Sequence, residues 1–189
     1  MRLLTFIILT LSCFHQAIAQ DGEQINWLSW EEALKKNKEE PRKIFVDIYT
    51  DWCGWCKKMD KATFQKPHIV QYMNDNYYAV KFNAEQKEAI HFNGKDYKYV
   101  GEGRRGYHEL AASITRGQLS YPTIVFIDEQ LNVIQPIPGF RDPMEFEMMM
   151  TYFGKNNHLE TPWSIYQKNY KPMSKPASNN AASDTVDCP

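Results

Sequence analysis

The chain has 189 residues, 43% of them hydrophobic and 24% charged, with a formal net charge of -1. A length of about 100 to 200 residues is that of one domain with a core able to stand alone, and the composition is that of an ordinary globular protein. The near-neutral balance supplies no electrostatic footprint for nucleic acid or an anionic membrane, so proteins or small molecules are the expected partners.

Arg2, the apolar run Leu3 to Leu11 and the triplet Ala17-Ile18-Ala19 stand in the order of a secretory signal, with cleavage before Gln20. The run is far shorter than the roughly 20 residues that span a bilayer. An exported chain, periplasmic or extracellular and without stable membrane insertion, is therefore expected over one with a retained anchor. Cys13 would permit lipoprotein processing, for which Thr10-Leu11-Ser12 is a poor approach. Cleavage removes Arg2 and no acid, so 22 less 1 leaves 21 basic against 23 acidic residues, a formal -2. Cys53, Cys56 and Cys188 remain, and an odd number leaves at least one thiol outside an intramolecular pair.

Ser29 with Glu32 three positions on forms a capping box, opening a short helix that runs out near Glu40-Pro41, with Trp27 and Trp30 as its core anchors. Ile44 to Tyr49 is a near-continuous apolar, β-branched run, read as a strand buried on both faces and interrupted by Asp47. A helical stretch begins at Cys53 and reaches Met73, with Pro67 kinking or dividing it. Tyr77 to Phe82 reads as the next strand. The polar segment from Glu85 to Arg105 contains Asn93-Gly94, a hairpin signal. A helix over 107–115 leads to Pro122, strands follow at 123–127 and 133–137, and Asp142-Pro143 caps a closing helix from Met144 to Phe153. From Pro172 onward the chain is Ser, Pro, Asn and Ala with almost no large apolar residue, and is expected to be a flexible tail. The expected division is a signal over 1–19, a domain over 20–160 and a C-terminal extension over 161–189.

Two cysteines three positions apart at a strand-to-helix turn place the first thiol against unpaired backbone N–H groups and the positive end of the helix dipole, which favour thiolate. The second, one turn on, can attack a mixed disulfide formed by the first. Cys53 is therefore the expected nucleophile and Cys56 the resolving thiol. Zinc usually needs four ligands, and the mature chain adds only Cys188 and scattered histidines, so no metal is expected. His68, His91, His108 and His158 share no spacing and are assigned no chemistry. The methionines at 148 to 150 are expected to fill gaps in the core.

The run Val46-Asp47-Ile48-Tyr49-Thr50-Asp51-Trp52-Cys53-Gly54-Trp55-Cys56-Lys57 resembles the active-site strand and turn of the thioredoxin superfamily. The resemblance covers roughly residues 25 to 155, with 85–105 as an insertion. It implies an α/β fold with a central mixed sheet flanked by helices. It also implies that Trp52 precedes the nucleophile, that Asp47 is a buried acid moving protons at the resolving thiol, and that Lys81 faces that acid. Tyr121-Pro122-Thr123 resembles the family's cis-proline loop, so Trp52, Gly54, Trp55, Tyr121 and Pro122 are the expected substrate-facing residues. Trp55 stands where the family's common form has proline, a position that bears on the redox poise. The absence of a histidine between the cysteines favours a reductase of protein disulfides over an oxidase or isomerase. A membrane or thiol electron donor is then implied, and no bound cofactor. The alternatives are a peptide-binding chaperone and a metallochaperone holding copper through the two thiolates. Cys188 is either an incidental thiol or a third redox cysteine that pairs with Cys53.

Overall fold

The computed structural model describes residues 24–101 and 106–173. The signal expected over 1–19, residues 102–105 of the insertion, and the tail that carries Cys188 lie outside the described residues.

In chain order, β1 (Trp27–Leu28) and α1 (Trp30–Glu39) precede β2 (Ile44–Tyr49), which leads into α2 (Gly54–Ala62) and α3 (Pro67–Asn76). Next come β3 (Tyr78–Asn83), β4 (Ile90–Phe92), β5 (Lys95–Tyr97), β6 (Tyr99–Val100), β7 (Tyr107–His108) and α4 (Glu109–Ile114). The chain closes with β8 (Thr123–Ile127), β9 (Val133–Pro138), α5 (Pro143–Gly154) and α6 (Trp163–Asn169). Among the described residues no helix is long and apolar enough to cross a membrane.

Local chemistry sets these boundaries. At the start of α1 the Glu32 N–H donates to Ser29 Oγ at 3.1 Å and the Ser29 N–H donates to Glu32 Oε2 at 2.9 Å, so two otherwise orphaned donors are satisfied. Pro67 divides the helical stretch, as the first residue of α3, where its missing N–H removes no helical bond. Asp142 caps α5 by accepting the Glu145 N–H at 2.8 Å. Two expectations need correction. Trp27 is a strand residue, because β1 pairs in parallel with β3, and a two-residue strand leaves no alternation to read. The helix expected over 107–115 keeps only 109–114, since Tyr107 and His108 pair with β6 instead.

The main sheet has the order β1-β3-β2-β8-β9, with β1, β3 and β2 parallel and β2-β8 and β8-β9 antiparallel. Successive strand residues face opposite sides, so β2 sends Ile44, Val46 and Ile48 to one core and Phe45 and Asp47 to the other. The first core adds Trp30, Val80, Phe82, Leu110, Ile114 and Val125. The second adds Met59 of α2, Met73 of α3, Ala79, Phe126, and Phe146 and Met150 of α5. A polar residue at position 47 therefore lies beneath α2, and its neighbour in β3 is Lys81.

The insertion forms a hairpin, with β4 and β5 antiparallel about Asn93-Gly94, both at positive φ. His108 fastens it to the body: it is fully buried, accepts the Leu110 N–H at its Nδ1 and meets the Glu88 carbonyl with its Nε2 at 3.0 Å.

Candidate functional site

The strand β2 ends at Tyr49, and a short turn through Trp52 delivers Cys53 to the N-cap of α2, where its Sγ accepts the Cys56 N–H at 3.1 Å. Cys53 and Cys56 are joined in a disulfide, and both are nearly buried. The residues beside them are not: Trp52 is 67% exposed and Trp55 56% exposed. Water has access to a large apolar surface around a mostly shielded disulfide.

Each indole is held from the side. Trp52 Nε1 donates to Glu85 Oε1 at 3.0 Å, and its ring meets Tyr121 edge-on with centroids 5.9 Å apart. Trp55 lies 5.5 Å from Phe140, and the Lys58 ammonium sits over both rings, 4.6 Å and 5.3 Å from their centroids. The Tyr121-Pro122 bond is cis. Thr123 Oγ1 donates to the Ser120 carbonyl at 2.6 Å, and the Gly139 N–H donates to the Pro122 carbonyl at 2.7 Å, so the proline loop is tied to the segment that carries Phe140. Gly139 has φ +93, a backbone state that favours glycine.

Beneath α2, the Asp47 side chain is fully buried. Its Oδ2 accepts from Lys81 Nζ at 2.9 Å, while its Oδ1 has no hydrogen-bond partner. Burial pushes the carboxyl up to about 6, against the charge and hydrogen bond of Lys81, and the Asp60 carboxylate pushes in the same direction as burial. Burial alone would lower the Lys81 ammonium, yet Asp47 and Asp60 hold it above its ordinary value. Lys81 thus bridges Asp47 on β2 and Asp60 on α2. Asp60 is four residues beyond Cys56, and such residues share one helix face. A pocket lined by Gln24, Trp27, Asp60, Phe64 and Lys81 opens the bridge to solvent.

Of the residues singled out in the sequence, the structure gathers two sets. Cys53, Gly54, Cys56, Trp52, Trp55 and Tyr121 with its cis proline form the surface, and Asp47 with Lys81 lies under it. Sequence reasoning missed Asp60, Glu85 and Phe140. The spacing from Cys56 to Asp60 was visible, but only the parity of β2 and β3 aims Lys81 at it. Among the described residues no group of three or more His, Cys, Asp or Glu side chains converges to hold a metal.

The chain resembles parts of larger proteins. It is 25% identical over 118 residues to an uncharacterised Caenorhabditis elegans protein, covering 53% of this chain and 16% of that one. It is 25% identical over 135 residues to the thiol:disulfide interchange protein DsbD of Photorhabdus laumondii, covering 69% of this chain and 19% of that one. Among solved structures, a thioredoxin-fold protein from Helicobacter pylori aligns with a TM-score of 0.54 at 18% identity, covering 68% of this chain and 83% of the other, which speaks to the fold. Residues 30–154, more than half of the chain, match the model of the thioredoxin-like domain, and the protein belongs to that family, with a thiol-disulfide oxidoreductase type of fold and a C-x-x-C pair.

Proposed function

We propose that the protein is an exported reductase of protein disulfides that works through Cys53 and Cys56. The observation that carries the redox chemistry of this reading is the placement of the pair: Cys53 Sγ accepts a backbone N–H at the start of α2, and Lys81 links the buried Asp47 to Asp60, one turn beyond Cys56 on the same helix face.

In the reduced protein, the backbone donors and the dipole at the start of α2 stabilise a Cys53 thiolate. That thiolate attacks one sulfur of a substrate disulfide, forming a mixed disulfide and releasing one substrate thiolate. Asp47 then takes the Cys56 proton. A carboxyl poised near neutrality accepts a proton from a thiol more readily than one at its ordinary value, and its Oδ1 is unpaired. The Cys56 thiolate attacks Cys53 Sγ, the second substrate thiolate leaves, and the Cys53–Cys56 disulfide closes. Two electrons have passed to the substrate. The cycle then needs a thiol or membrane-borne electron donor, and the dithiol itself is the redox centre, without a bound cofactor.

Several features support the reductase direction and export. The absence of histidine between the cysteines favours the reductase. The order of Arg2, the Leu3 to Leu11 run and Ala17-Ile18-Ala19 supports export. The resemblance to DsbD, whose name records thiol:disulfide interchange, agrees with the chemistry. Asp47, Lys81, Trp52, Gly54, Trp55, Tyr121 and Pro122 take the roles expected of them from the resemblance.

The test is a trapping experiment. Cys56→Ser should accumulate a mixed disulfide with a disulfide-bonded protein, and Cys53→Ser should accumulate none. Trapping on neither variant would refute the reading.

A further inference from the structure

The exposed face of α2 carries three lysines, Lys57, Lys58 and Lys61. Lys57 and Lys58 fall in its first half and Lys61 in its last turn, and the first turn holds no acid. Lys57, Lys58 and Lys61 are all exposed, and among the described residues none has a carboxylate partner. The one acid of α2, Asp60, is engaged by Lys81. Lys58 is further fixed over Trp55 and Phe140, so a positive charge stands at the edge of the disulfide surface.

The opposite edge has the other sign. Trp52 is held by Glu85, and Asp51 beside it is exposed. The disulfide lies between an acidic rim on the Trp52 side and a basic, aromatic rim on the Trp55 side. With a whole-chain charge of -1, this polarity is a local feature and does not follow from composition.

We infer that Trp55, Lys58 and Lys61, spaced three apart along one face of α2, form a docking surface for disulfide-bearing polypeptides whose cysteine is flanked by acidic residues. This rests on the reductase reading above and names the substrate class of that same site. The acidic flank meets the two ammonium groups, apolar neighbours of the cysteine cover Trp55 and Phe140, and the acidic Trp52 rim repels the reverse orientation. Charge complementarity of this kind acts mainly on encounter rate and on discrimination between partners. A polypeptide is favoured over an anionic lipid surface because the nearly buried disulfide lies between the two rims, and a lipid offers it nothing to exchange.

The test uses the protein kept reduced by dithiothreitol and three synthetic peptides, each with one disulfide flanked by Glu, Gln or Lys. Turnover per unit concentration is measured at low and high salt, with anionic phospholipid vesicles in a parallel binding assay. The expected result is that the Glu peptide exceeds the Lys peptide by about ten-fold at low salt, with the ratio contracting several-fold at about 0.5 M salt. Lys58→Glu with Lys61→Glu should abolish or invert the ratio, and the milder Lys58→Gln should reduce it. Equal turnover of the three peptides, a ratio indifferent to salt or to the lysine changes, or vesicle binding without peptide preference would overturn the docking surface and leave the reductase reading standing. No turnover of any peptide would overturn both.

Discussion

Lys81 reaches Asp47 from the neighbouring parallel strand, with Nζ 2.9 Å from Oδ2, because the two residues are register partners on the same side of the sheet. The same ammonium meets Asp60 of α2. One cation therefore ties the floor of the site to the helix that carries the cysteines, and the buried acid retains a raised pKa despite its counter-ion.

That raised value has a thermodynamic consequence. With a folded pKa of about 6 against 3.8 unfolded, the folded protein binds the extra proton between those values, so Asp47 destabilises the fold progressively as pH rises through that window. Asp47→Asn should therefore stabilise the protein at pH 7 to 8 by about 1 to 3 kcal/mol, after the weakened hold on the Lys81 ammonium is set against it, with the gain vanishing near pH 4. Urea denaturation at several pH values measures it. The same variant should slow closure of the mixed disulfide.

Asp60 acts on Asp47 through charge and through its share of Lys81. Asp60→Asn removes a carboxylate that raises Asp47 and leaves Lys81 to its buried partner alone, so the Asp47 carboxyl should titrate at lower pH. Carbon NMR of the Asp47 side chain follows this directly. An unchanged or higher midpoint would show that the bridge does not tune the acid.

His108 is held below its ordinary pKa by burial. It must stay neutral at Nδ1 to accept the Leu110 N–H. An unfolded histidine of pKa 6.5 binds a proton more readily, so its contribution to stability is full above about pH 6.5 and is lost as pH falls through the folded value. His108→Ala should cost about 1 to 2 kcal/mol and remove that pH dependence. Limited proteolysis should then cut the 85–98 segment earlier than the body.

Much of the fold was legible because its signals are local. The Ser29 box, Pro67, the Asn93-Gly94 turn and Asp142-Pro143 each set a backbone choice within a few residues. The central strands could be read from their apolar runs. β1 is too short to show a period, and α6 follows a segment with no cap: Pro162 precedes it and offers no side-chain bond. Its place depends on distant partners, with Tyr166 donating to Thr151 Oγ1 at 2.8 Å and Trp163 edge-on to Tyr152. The cysteines and Asp47 were readable from one continuous run. Asp60, Glu85 and Phe140 join them only when strand parity and the loop after β9 are known.

The C-terminal segment also closes over a buried acid. Glu147, 1% exposed, accepts from Tyr170 Oη at 2.7 Å and from the Met173 N–H at 2.6 Å, and lies 2.9 Å from His68 Nε2. Tyr170→Phe should lower stability by about 1 to 2 kcal/mol. Truncation after Glu160, which removes Trp163 and Tyr166 as well, should lower it by about 3 kcal/mol or more. Thermal or urea unfolding measures both, and a truncated chain as stable as the whole would show that α6 is not part of the cooperative unit.

The most direct test of the central claim is the reduction potential of the Cys53–Cys56 couple, followed by the fluorescence of Trp52 and Trp55 across thiol redox buffers. A reductase requires a reversible two-electron titration near the roughly -270 mV of a thioredoxin. A value near roughly -120 mV would reverse the direction of electron flow, and a pair that does not titrate would contradict the account.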